Sequence, residues 1–314
     1  MNWKVMVSAP YMRQVIGRFQ PIFEENNIEL VLPPVVERLS EEELLNWVGD
    51  IDGAICGDDS FTERVLSAAS RLKVISKWGT GIDSIDLAAC NRLGIKVKNS
   101  PNAFSEPVAD TTLGFILCFA RNLLLLNQEM HSGIWCKRPS VSLSECTLGV
   151  IGVGNIGKCV VRRANAFGMM VVGNDLIDMT PEFLTEVDIK MVSLDDLLCI
   201  SDFVSLNCDL NPTSRHLISD RELSLMKPTS VIINTARGPI IDEAALIRAL
   251  RERTIAGAAL DVFELEPLPQ DSPLRRMDNV LLSPHNANSS PSAWDSVHYN
   301  TINNLLAVLT KEDL

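Results

Sequence analysis

The stretch LGVIGVGNIG, residues 148–157, decides the fold, because an apolar strand runs directly into a Gly-x-Gly-x-x-Gly turn and then a helical segment, Lys158 to Phe167. Gly152 permits the tight turn, Gly154 lets backbone approach a pyrophosphate, and Gly157 allows close packing of helix on strand. The helix N-terminus offers unpaired N–H groups to an anion. A glycine triplet alone is weak evidence, since glycine-rich turns are common.

A carboxylate further along strengthens this interpretation. Asp175 follows the next apolar strand, Met169 to Val172, and lies 18 residues beyond Gly157, where it can accept hydrogen bonds from an adenine ribose diol. The same charge would repel a 2′-phosphate, and Leu176 and Ile177 supply no compensating cation, so NAD is favoured over NADP. The cofactor-binding candidates of this region are Gly152, Gly154, Asn155, Ile156, Gly157 and Asp175.

Short apolar strands alternate with helical segments on both sides of this motif. The strands before it are VMVSA, GAICG, LKVIS and IKVKN, with helices at Ser40 to Val48 and Thr62 to Ala69. From Thr147 the strands are TLGVIG, MMVVGN, FVSLN, SVIINT, AGAAL and NVLLS, and these six match the count of a complete dinucleotide-binding sheet. Such alternation predicts parallel sheets covered on both faces.

The chain length of 314 residues exceeds the size at which single cores usually stop growing. We therefore expect an α/β fold with two doubly wound parallel-sheet domains. A Rossmann NAD-binding domain, residues 101–287, is inserted into a discontinuous flavodoxin-like substrate-binding domain, residues 1–100 and 288–314. The final helix, Pro291 to Leu309, has no strand of its own to cover and is predicted to fold back onto the first domain.

Composition excludes several partner classes. A net charge of −12 disfavours nucleic acid, whose binding needs clustered Lys and Arg. The longest apolar stretch, Leu113 to Leu126, is interrupted by Arg121 and falls short of the roughly 20 residues that span a bilayer, and Met1 to Pro10 carries no secretory signal. The eight cysteines form no Cys-x-x-Cys pair and lie at no zinc-ligand spacing. We expect reduced thiols, no metal, no membrane partner and a cytoplasmic location.

Charged groups follow successive strands of the second series. His285 follows the strand Val280 to Leu282, Arg237 follows the strand Ser230 to Asn234, and both Asp261 and Glu266 follow the strand that ends at Leu260. The carboxyl ends of parallel strands face the ligand crevice in doubly wound sheets. An imidazole can exchange a proton there and a guanidinium can fork onto a carboxylate. The other histidines, His131, His216 and His298, are expected to have surface or packing roles.

These blocks resemble the D-isomer-specific 2-hydroxy-acid dehydrogenases, the family of phosphoglycerate, glycerate, D-lactate and formate dehydrogenases. The resemblance rests on LGVIGVGNIG at 148–157, NTARG at 234–238, DVFELEP at 261–267 and SPH at 283–285, and extends to GTGID at 79–83. It implies an NAD-dependent oxidoreductase that acts on a small 2-hydroxy or 2-oxo acid. It also implies two domains that close over the substrate and exclude water.

The resemblance also assigns roles to residues. It implies that Arg237 orients the substrate carboxylate and carbonyl and that His285 exchanges the hydroxyl proton. Glu266, rather than Glu264, matches the position that hydrogen-bonds the histidine and favours its protonated form. Asp261 matches the position near the nicotinamide. The remaining candidates are Ala236 for the cofactor, and Lys77, Thr80, Gly81 and Phe104 for the substrate, with Thr80 and Gly81 in the loop that receives its carboxylate.

The sequence departs from the family pattern near the substrate. Phosphoglycerate dehydrogenases usually carry an Arg-Ser pair after the strand that here is Gly53 to Ile55, whereas this chain has Cys56 and Gly57 and then the acidic residues 58 and 59. Two carboxylates at that place argue against 3-phosphoglycerate. Phe104 stands where many relatives have an asparagine, and Lys77 is either a second cation for the substrate or a solvated lysine.

Two interpretations of function remain open. The complete Arg, Glu and His set favours an active D-2-hydroxy-acid dehydrogenase, of the phosphoglycerate or glycerate (hydroxypyruvate or glyoxylate) type or for a less common polar or phosphorylated hydroxy acid. The alternative is an NAD-sensing binding protein similar to the corepressors that resemble this family, because fold alone does not separate the two. A homodimer is also expected, because the helical run from Ser105 to about Met130 is longer and more apolar than one domain face buries.

Overall fold

The computed structural model of the protein describes residues 2–310, which divide into two compact units. Unit 1 is formed by the residues up to Phe104 together with those from Ser290 onward, and unit 2 is Ser105–Ser289. Each unit contains one parallel sheet with helices on its faces. The predicted α/β class with two parallel-sheet domains, one of them discontinuous, is confirmed.

Unit 1 has a five-stranded sheet in the flavodoxin-like order β2-β1-β3-β4-β5. Its strands are β1 (Trp3–Val7), β2 (Ile28–Val31), β3 (Gly53–Cys56), β4 (Val74–Lys77) and β5 (Lys96–Lys98), and its helices are α1 (Pro10–Arg13), α2 (Gln20–Glu25), α3 (Glu41–Leu45), α4 (Glu63–Ala68), α5 (Leu87–Leu93) and α13 (Pro291–Leu309). Strand β2 was not predicted from the sequence, because it is a short edge strand interrupted by the exposed Glu29. The predicted helix from Ser40 is shorter than expected, since α3 ends at Leu45 and a separate 3-10 turn follows.

The terminal helix α13 covers the unit 1 sheet, as predicted. A Cβ added at Gly53 in β3 would lie 2.8 Å from Cδ1 of Leu305 on the helix. In β4 the Ser76 hydroxyl donates a hydrogen bond of 2.8 Å to the carbonyl oxygen of Thr301. Because Gly53 has no side chain, Leu305 of α13 reaches the backbone of the sheet directly.

Unit 2 has a seven-stranded parallel sheet in the order β12-β11-β10-β9-β6-β7-β8. The strands are β6 (Thr147–Ile151), β7 (Met170–Asn174), β8 (Ile189–Met191), β9 (Phe203–Leu206), β10 (Val231–Asn234), β11 (Gly257–Leu260) and β12 (Val280–Leu282), and the helices are α6 (Ser105–Ala120), α7 (Leu123–His131), α8 (Asn155–Ala166), α9 (Pro181–Glu186), α10 (Leu194–Ile200), α11 (Asp220–Leu225) and α12 (Glu243–Arg251). This is the Rossmann order with a seventh strand. The predicted six strands lacked β8, which is three residues long with an exposed lysine in its centre and so has no apolar run to detect.

The expected continuous helix from Ser105 to Met130 is wrong, because it breaks into α6 and α7 with a 60° bend. Asn122 lies at the break in the left-handed region, with φ of 52°, a conformation that asparagine tolerates better than most residues. Its side-chain amide donates to the carbonyl oxygen of Pro139 at 2.9 Å. Within residues 2–310 no single helix is long and apolar enough to cross a membrane, although this bent pair taken together meets the criteria of length and composition. The cytoplasmic location stays a prediction.

Strand β6 lies inside the unit 2 sheet, between β9 and β7, and a glycine in it sets how closely a helix packs there. A Cβ added at Gly149 would lie 2.4 Å from Oγ of Ser201 and 2.5 Å from Cδ2 of Leu197, the latter a buried residue of α10. Helix α10 therefore packs against bare backbone of β6.

Gly149→Ala should lower the free energy of unfolding by about 1–3 kcal/mol, because the added methyl group overfills this contact. Thermal or urea unfolding followed by circular dichroism measures the change. Gly17→Ala is the matched control, since a Cβ at Gly17 meets nothing within 4 Å, and it should change stability by no more than about 0.5 kcal/mol. Equal stability of the two variants would contradict this account of the packing.

Candidate active site

The glycine-rich turn of unit 2 has one open and two crowded positions. A Cβ at Gly152, whose φ is 84°, would lie 2.6 Å from the backbone nitrogen of Cys208, and a Cβ at Gly157 would lie 2.1 Å from the carbonyl oxygen of Gly152. A Cβ at Gly154 would meet nothing within 4 Å. Gly152 and Gly157 are therefore required by packing inside the protein, whereas Gly154 leaves space for part of a bound ligand.

Helix α8 begins at this open position. Its N-cap is Gly154, which has no side chain to cap the helix, and Asn155 and Ile156 form its first turn, exposed and half-buried respectively. Unpaired N–H groups at such a helix start attract phosphate oxygens. The geometry fits the pyrophosphate of a dinucleotide.

Asp175 lies just beyond β7, beside the same turn. Its Oδ2 accepts a hydrogen bond of 2.6 Å from the Val153 backbone, and its Oδ1 accepts one of 3.0 Å from the Ile177 backbone. The carboxylate is thus held next to the glycine turn by two amides. A carboxylate fixed there can also receive a ribose hydroxyl, since each oxygen accepts more than one hydrogen bond.

A second close approach brings the loop of Arg237 against the loop that follows β11. A Cβ at Gly238 would lie 1.9 Å from the carbonyl carbon of Phe263, so only glycine fits. Gly238 thus permits contact between two backbone segments. On the other side of Arg237, its Nη1 donates to the carbonyl oxygen of Ala236 at 2.9 Å.

His285 and Glu266 lie together. His285 Nδ1 and Glu266 Oε2 are 2.9 Å apart, and both side chains are largely buried, with 24% and 17% of their surface exposed. The other carboxylate oxygen, Oε1, accepts from the Phe263 backbone at 2.9 Å. This second hydrogen bond fixes the carboxylate that contacts the imidazole. Glu264 does not take this place, because its Oε1 lies 2.7 Å from Nε2 of His216.

Asp261 is buried and holds the loop that carries the histidine. Its Oδ1 and Oδ2 each accept a hydrogen bond of 2.8 Å, from the backbone amides of Asn286 and Ala287. His285 adopts a φ of 51°, and its amide donates to the carbonyl oxygen of Asp261 at 2.7 Å. A loop-anchoring role for Asp261 was missed, since nothing in the sequence links residue 261 to residues 286 and 287. Its contact with a nicotinamide stays a prediction.

The candidate carboxylate loop lies in unit 1, between β4 and α5. The Thr80 hydroxyl donates to the Ser100 carbonyl oxygen at 3.0 Å, and the Asn99 side chain donates to the Thr80 carbonyl oxygen at 2.6 Å. For the amides of Thr80 and Gly81 the described part of the chain shows no acceptor. Two successive backbone amides are able to donate hydrogen bonds to an anion. The predicted role of this loop is therefore chemically reasonable.

The two other substrate candidates of unit 1 are buried. Lys77 is 3% exposed and its Nζ lies 2.6 Å from Oδ1 of Asp58, so the interpretation as a solvated lysine is wrong. Phe104 is 6% exposed, and its ring centroid lies 5.7 Å from that of Trp78. The ring of Phe104 therefore has a packing role, and its contact with substrate stays a prediction.

The remaining histidines have the packing and surface positions that were expected. His298 is buried and its Nδ1 accepts from Trp78 Nε1 at 2.9 Å, while burial lowers its pKa and Asp295 opposes that shift. His216 is half-exposed beside Glu264, and His131 is exposed at the end of α7. Within residues 2–310 no group of three His, Cys, Asp or Glu side chains is placed to hold a metal ion.

The chain matches known proteins over most of its length. It is 37% identical to glyoxylate reductase from Thermofilum pendens, with 87% of this chain and 83% of that protein covered. It is 38% identical to D-3-phosphoglycerate dehydrogenase from Methanocaldococcus jannaschii, with 92% of this chain covered. The chain spans only 54% of the length of that dehydrogenase.

A solved structure shares the architecture. D-lactate dehydrogenase from Aquifex aeolicus, complexed with NAD and lactic acid, superposes with a TM-score of 0.88 at 28% sequence identity, and the match covers 98% of this chain and 95% of that one. The family model described as D-isomer specific 2-hydroxyacid dehydrogenase, NAD binding domain, matches residues 113–287. Unit 2 is therefore an NAD-binding domain, and the chain belongs to the D-isomer-specific 2-hydroxyacid dehydrogenase family.

Proposed function

We propose that the protein is an NAD-dependent dehydrogenase that interconverts a small D-2-hydroxy acid and the corresponding 2-oxo acid. The observation that carries this proposal is the hydrogen bond of 2.9 Å between His285 Nδ1 and Glu266 Oε2, in the unit that holds the NAD-binding turn. A histidine paired with a buried carboxylate is suited to exchange a proton near neutral pH. The relatives named above are dehydrogenases and reductases of such acids.

We assign roles to the side chains from their chemistry and from the family to which the chain belongs. NAD supplies or accepts the hydride when it is bound. Glu266 accepts a hydrogen bond from Nδ1–H of His285, which leaves Nε2 to exchange a proton with the substrate oxygen. In the direction of reduction, His285 would give a proton to the oxygen on C2 and C2 would receive the hydride of bound NADH, which would give the 2-hydroxy acid and NAD⁺. Arg237 binds the substrate carboxylate and polarises the adjacent carbonyl, because a guanidinium offers two parallel N–H groups to such an anion.

The substrate class is proposed as a small 2-oxo acid of the glyoxylate or hydroxypyruvate type. Two features support it. The match to glyoxylate reductases extends over more of their length than the match to phosphoglycerate dehydrogenases. The partly exposed carboxylate of Asp58 follows β3, whereas Asp59 is buried. A panel of 2-oxo acids, each assayed by the loss of NADH absorbance, tests the activity. NADH binding without oxidation of NADH by any 2-oxo acid would favour the NAD-sensing alternative.

A homodimer is proposed because unit 2 carries a run of exposed apolar side chains. This run, which we call the α7 strip, comprises side chains between 41% and 84% exposed on α7 and the following connector: Leu123, Leu124, Leu125, Met130, Ile134 and Trp135. Contiguous apolar surface of this kind marks association sites. A second copy of the chain is the simplest occupant, since most soluble oligomers are symmetric homodimers.

His285→Ala and Arg237→Ala should affect different kinetic constants. The first removes the proton donor and should lower kcat by about 10²–10⁴-fold with NADH affinity nearly unchanged. The second should mainly raise KM for the 2-oxo acid, because it removes the cation that binds the carboxylate. Steady-state kinetics with NADH binding by fluorescence measure both effects. An equal loss of NADH affinity in the two variants would contradict the roles assigned.

Asp175→Asn should change the preference between the two nicotinamide cofactors. The amide keeps the size of the side chain and one of its two acceptor oxygens, and it removes the charge that repels a 2′-phosphate. We expect the ratio of kcat/KM for NADPH to that for NADH to rise about tenfold, which corresponds to about 1.4 kcal/mol. Asp178→Asn, an exposed change on the same loop, should leave this ratio unchanged. The same ratio in both variants would remove Asp175 from cofactor selection.

Leu124→Asp should dissociate the dimer, because it puts a charge into the α7 strip. The substitution should not destabilise α7 itself, since Leu124 lies in the first turn of this helix and an acidic residue there interacts favourably with the helix dipole. Light scattering after size-exclusion chromatography should give twice the chain mass for the wild type and the chain mass for the variant. Val36→Asp, at a residue 89% exposed in unit 1, is the control that should remain dimeric. A monomeric wild type at every concentration would overturn the proposal.

A further inference from the structure

A buried ion pair lies at the carboxyl end of the unit 1 sheet. Lys77 is the last residue of β4, its side chain is 4% exposed, and its ammonium lies 2.6 Å from the carboxylate of Asp58, whose side chain is 33% exposed. An ammonium so far from water needs a negative partner, because desolvation of an isolated charge is costly. The pair therefore presents one partly exposed carboxylate, and behind it a cation whose charge is already compensated.

The turn that carries Asp58 is fixed by its buried neighbour. Asp59 is fully buried, and its Oδ2 accepts from the Ser8 hydroxyl at 2.6 Å and from the Gly57 amide at 3.0 Å. Its Oδ1 accepts from the Leu39 amide at 2.6 Å. Burial raises the pKa of Asp59, and the three hydrogen bonds together with the charge of Lys77 oppose that rise. The hydrogen bonds from Ser8 and Gly57 also join the ends of β1 and β3. Asp58 is thus held on a rigid turn rather than on a mobile loop.

The pair also lies where a ligand is expected in a sheet of this order. In the order β2-β1-β3-β4-β5 the chain continues to one side of β1 and then crosses to the other, so the topological switch point lies between β1 and β3. Ligands of doubly wound sheets bind outside the carboxyl ends of the strands at this point. Asp58 follows β3 there, and the end of β4 carries Lys77 and then the Thr80–Gly81 loop.

We propose that the Lys77–Asp58 pair selects the distal group of the 2-oxo acid, accepting an uncharged group and rejecting a phosphate or second carboxylate. This inference rests on the proposed function and deepens it. The carboxylate of Asp58 repels a distal anion. It also neutralises the ammonium of Lys77, which would otherwise bind such an anion. Loss of the Asp58 charge removes the direct ion-pair partner of Lys77 and leaves only its longer-range attraction to the buried Asp59, so that an anionic substrate can supply the missing charge.

The test compares two probes that differ only in the distal group, hydroxypyruvate and 3-phosphohydroxypyruvate. The measured quantity is the ratio of kcat/KM for the phosphorylated probe to that for the uncharged probe, which is independent of the fraction of active enzyme. The wild type should favour hydroxypyruvate. Asp58→Asn, which keeps an acceptor for Lys77 but removes the charge, should raise the ratio at least tenfold. Asp58→Asn combined with Lys77→Met should lose that gain, because the binding cation is gone.

The matched control is Asp50→Asn. It also removes the charge that pairs with a lysine of the same sheet, since Asp50 Oδ2 lies 2.5 Å from Nζ of Lys4 in β1, but neither residue lies at a carboxyl strand end. Its ratio should equal that of the wild type. An unchanged ratio in Asp58→Asn, or an equal rise in Asp50→Asn, overturns the inference while the enzyme remains active. A wild type without NADH oxidation on any 2-oxo acid instead overturns the proposed function.

Discussion

The candidate site depends on one steric constraint, the contact of the Gly238 backbone with the Phe263 backbone. A side chain at position 238 would overlap the Phe263 peptide group, so this contact exists only because that residue is glycine. It joins the loop after β10 to the loop after β11, and the Phe263 amide in turn holds the carboxylate of Glu266. The loops that carry Arg237 and Glu266 are thus packed against each other through their backbones.

The third loop is joined to these two by a buried charge. Asp261 directly follows β11 and is buried, and both of its oxygens accept from amides of the loop that follows β12. A buried carboxylate is stable only with such donors, and here the donors are the residues directly after His285. The requirement to satisfy one buried charge therefore also fixes the left-handed backbone of the histidine. In this way strand order, a glycine and a buried aspartate place an imidazole beside its carboxylate.

Periodicity and glycine spacing predicted most of the fold, since the two parallel sheets and α13 follow from apolar runs and the glycine motif. Strands β2 and β8 were missed because edge strands are short and carry charged residues that water can solvate, so no apolar run marks them. The break at Asn122 was missed for another reason. The apolar pattern continues through it, and the bend depends on hydrogen bonds to residues 139 and 140 that are distant in sequence.

The sequence indicated which residues are candidates for the site but not which groups surround each of them. Lys77 is an example. Its position after an apolar strand suggested a cation near the substrate, but one sequence does not reveal whether an ammonium faces water or a carboxylate. Its partner precedes it by 19 residues and is brought close only because β3 and β4 are neighbours in the parallel sheet. The acidic residues after β3 suggested rejection of phosphate by repulsion alone. The structure adds that one of them also neutralises the nearest cation, so a single carboxylate changes both the repulsion and the attraction that an anionic substrate experiences.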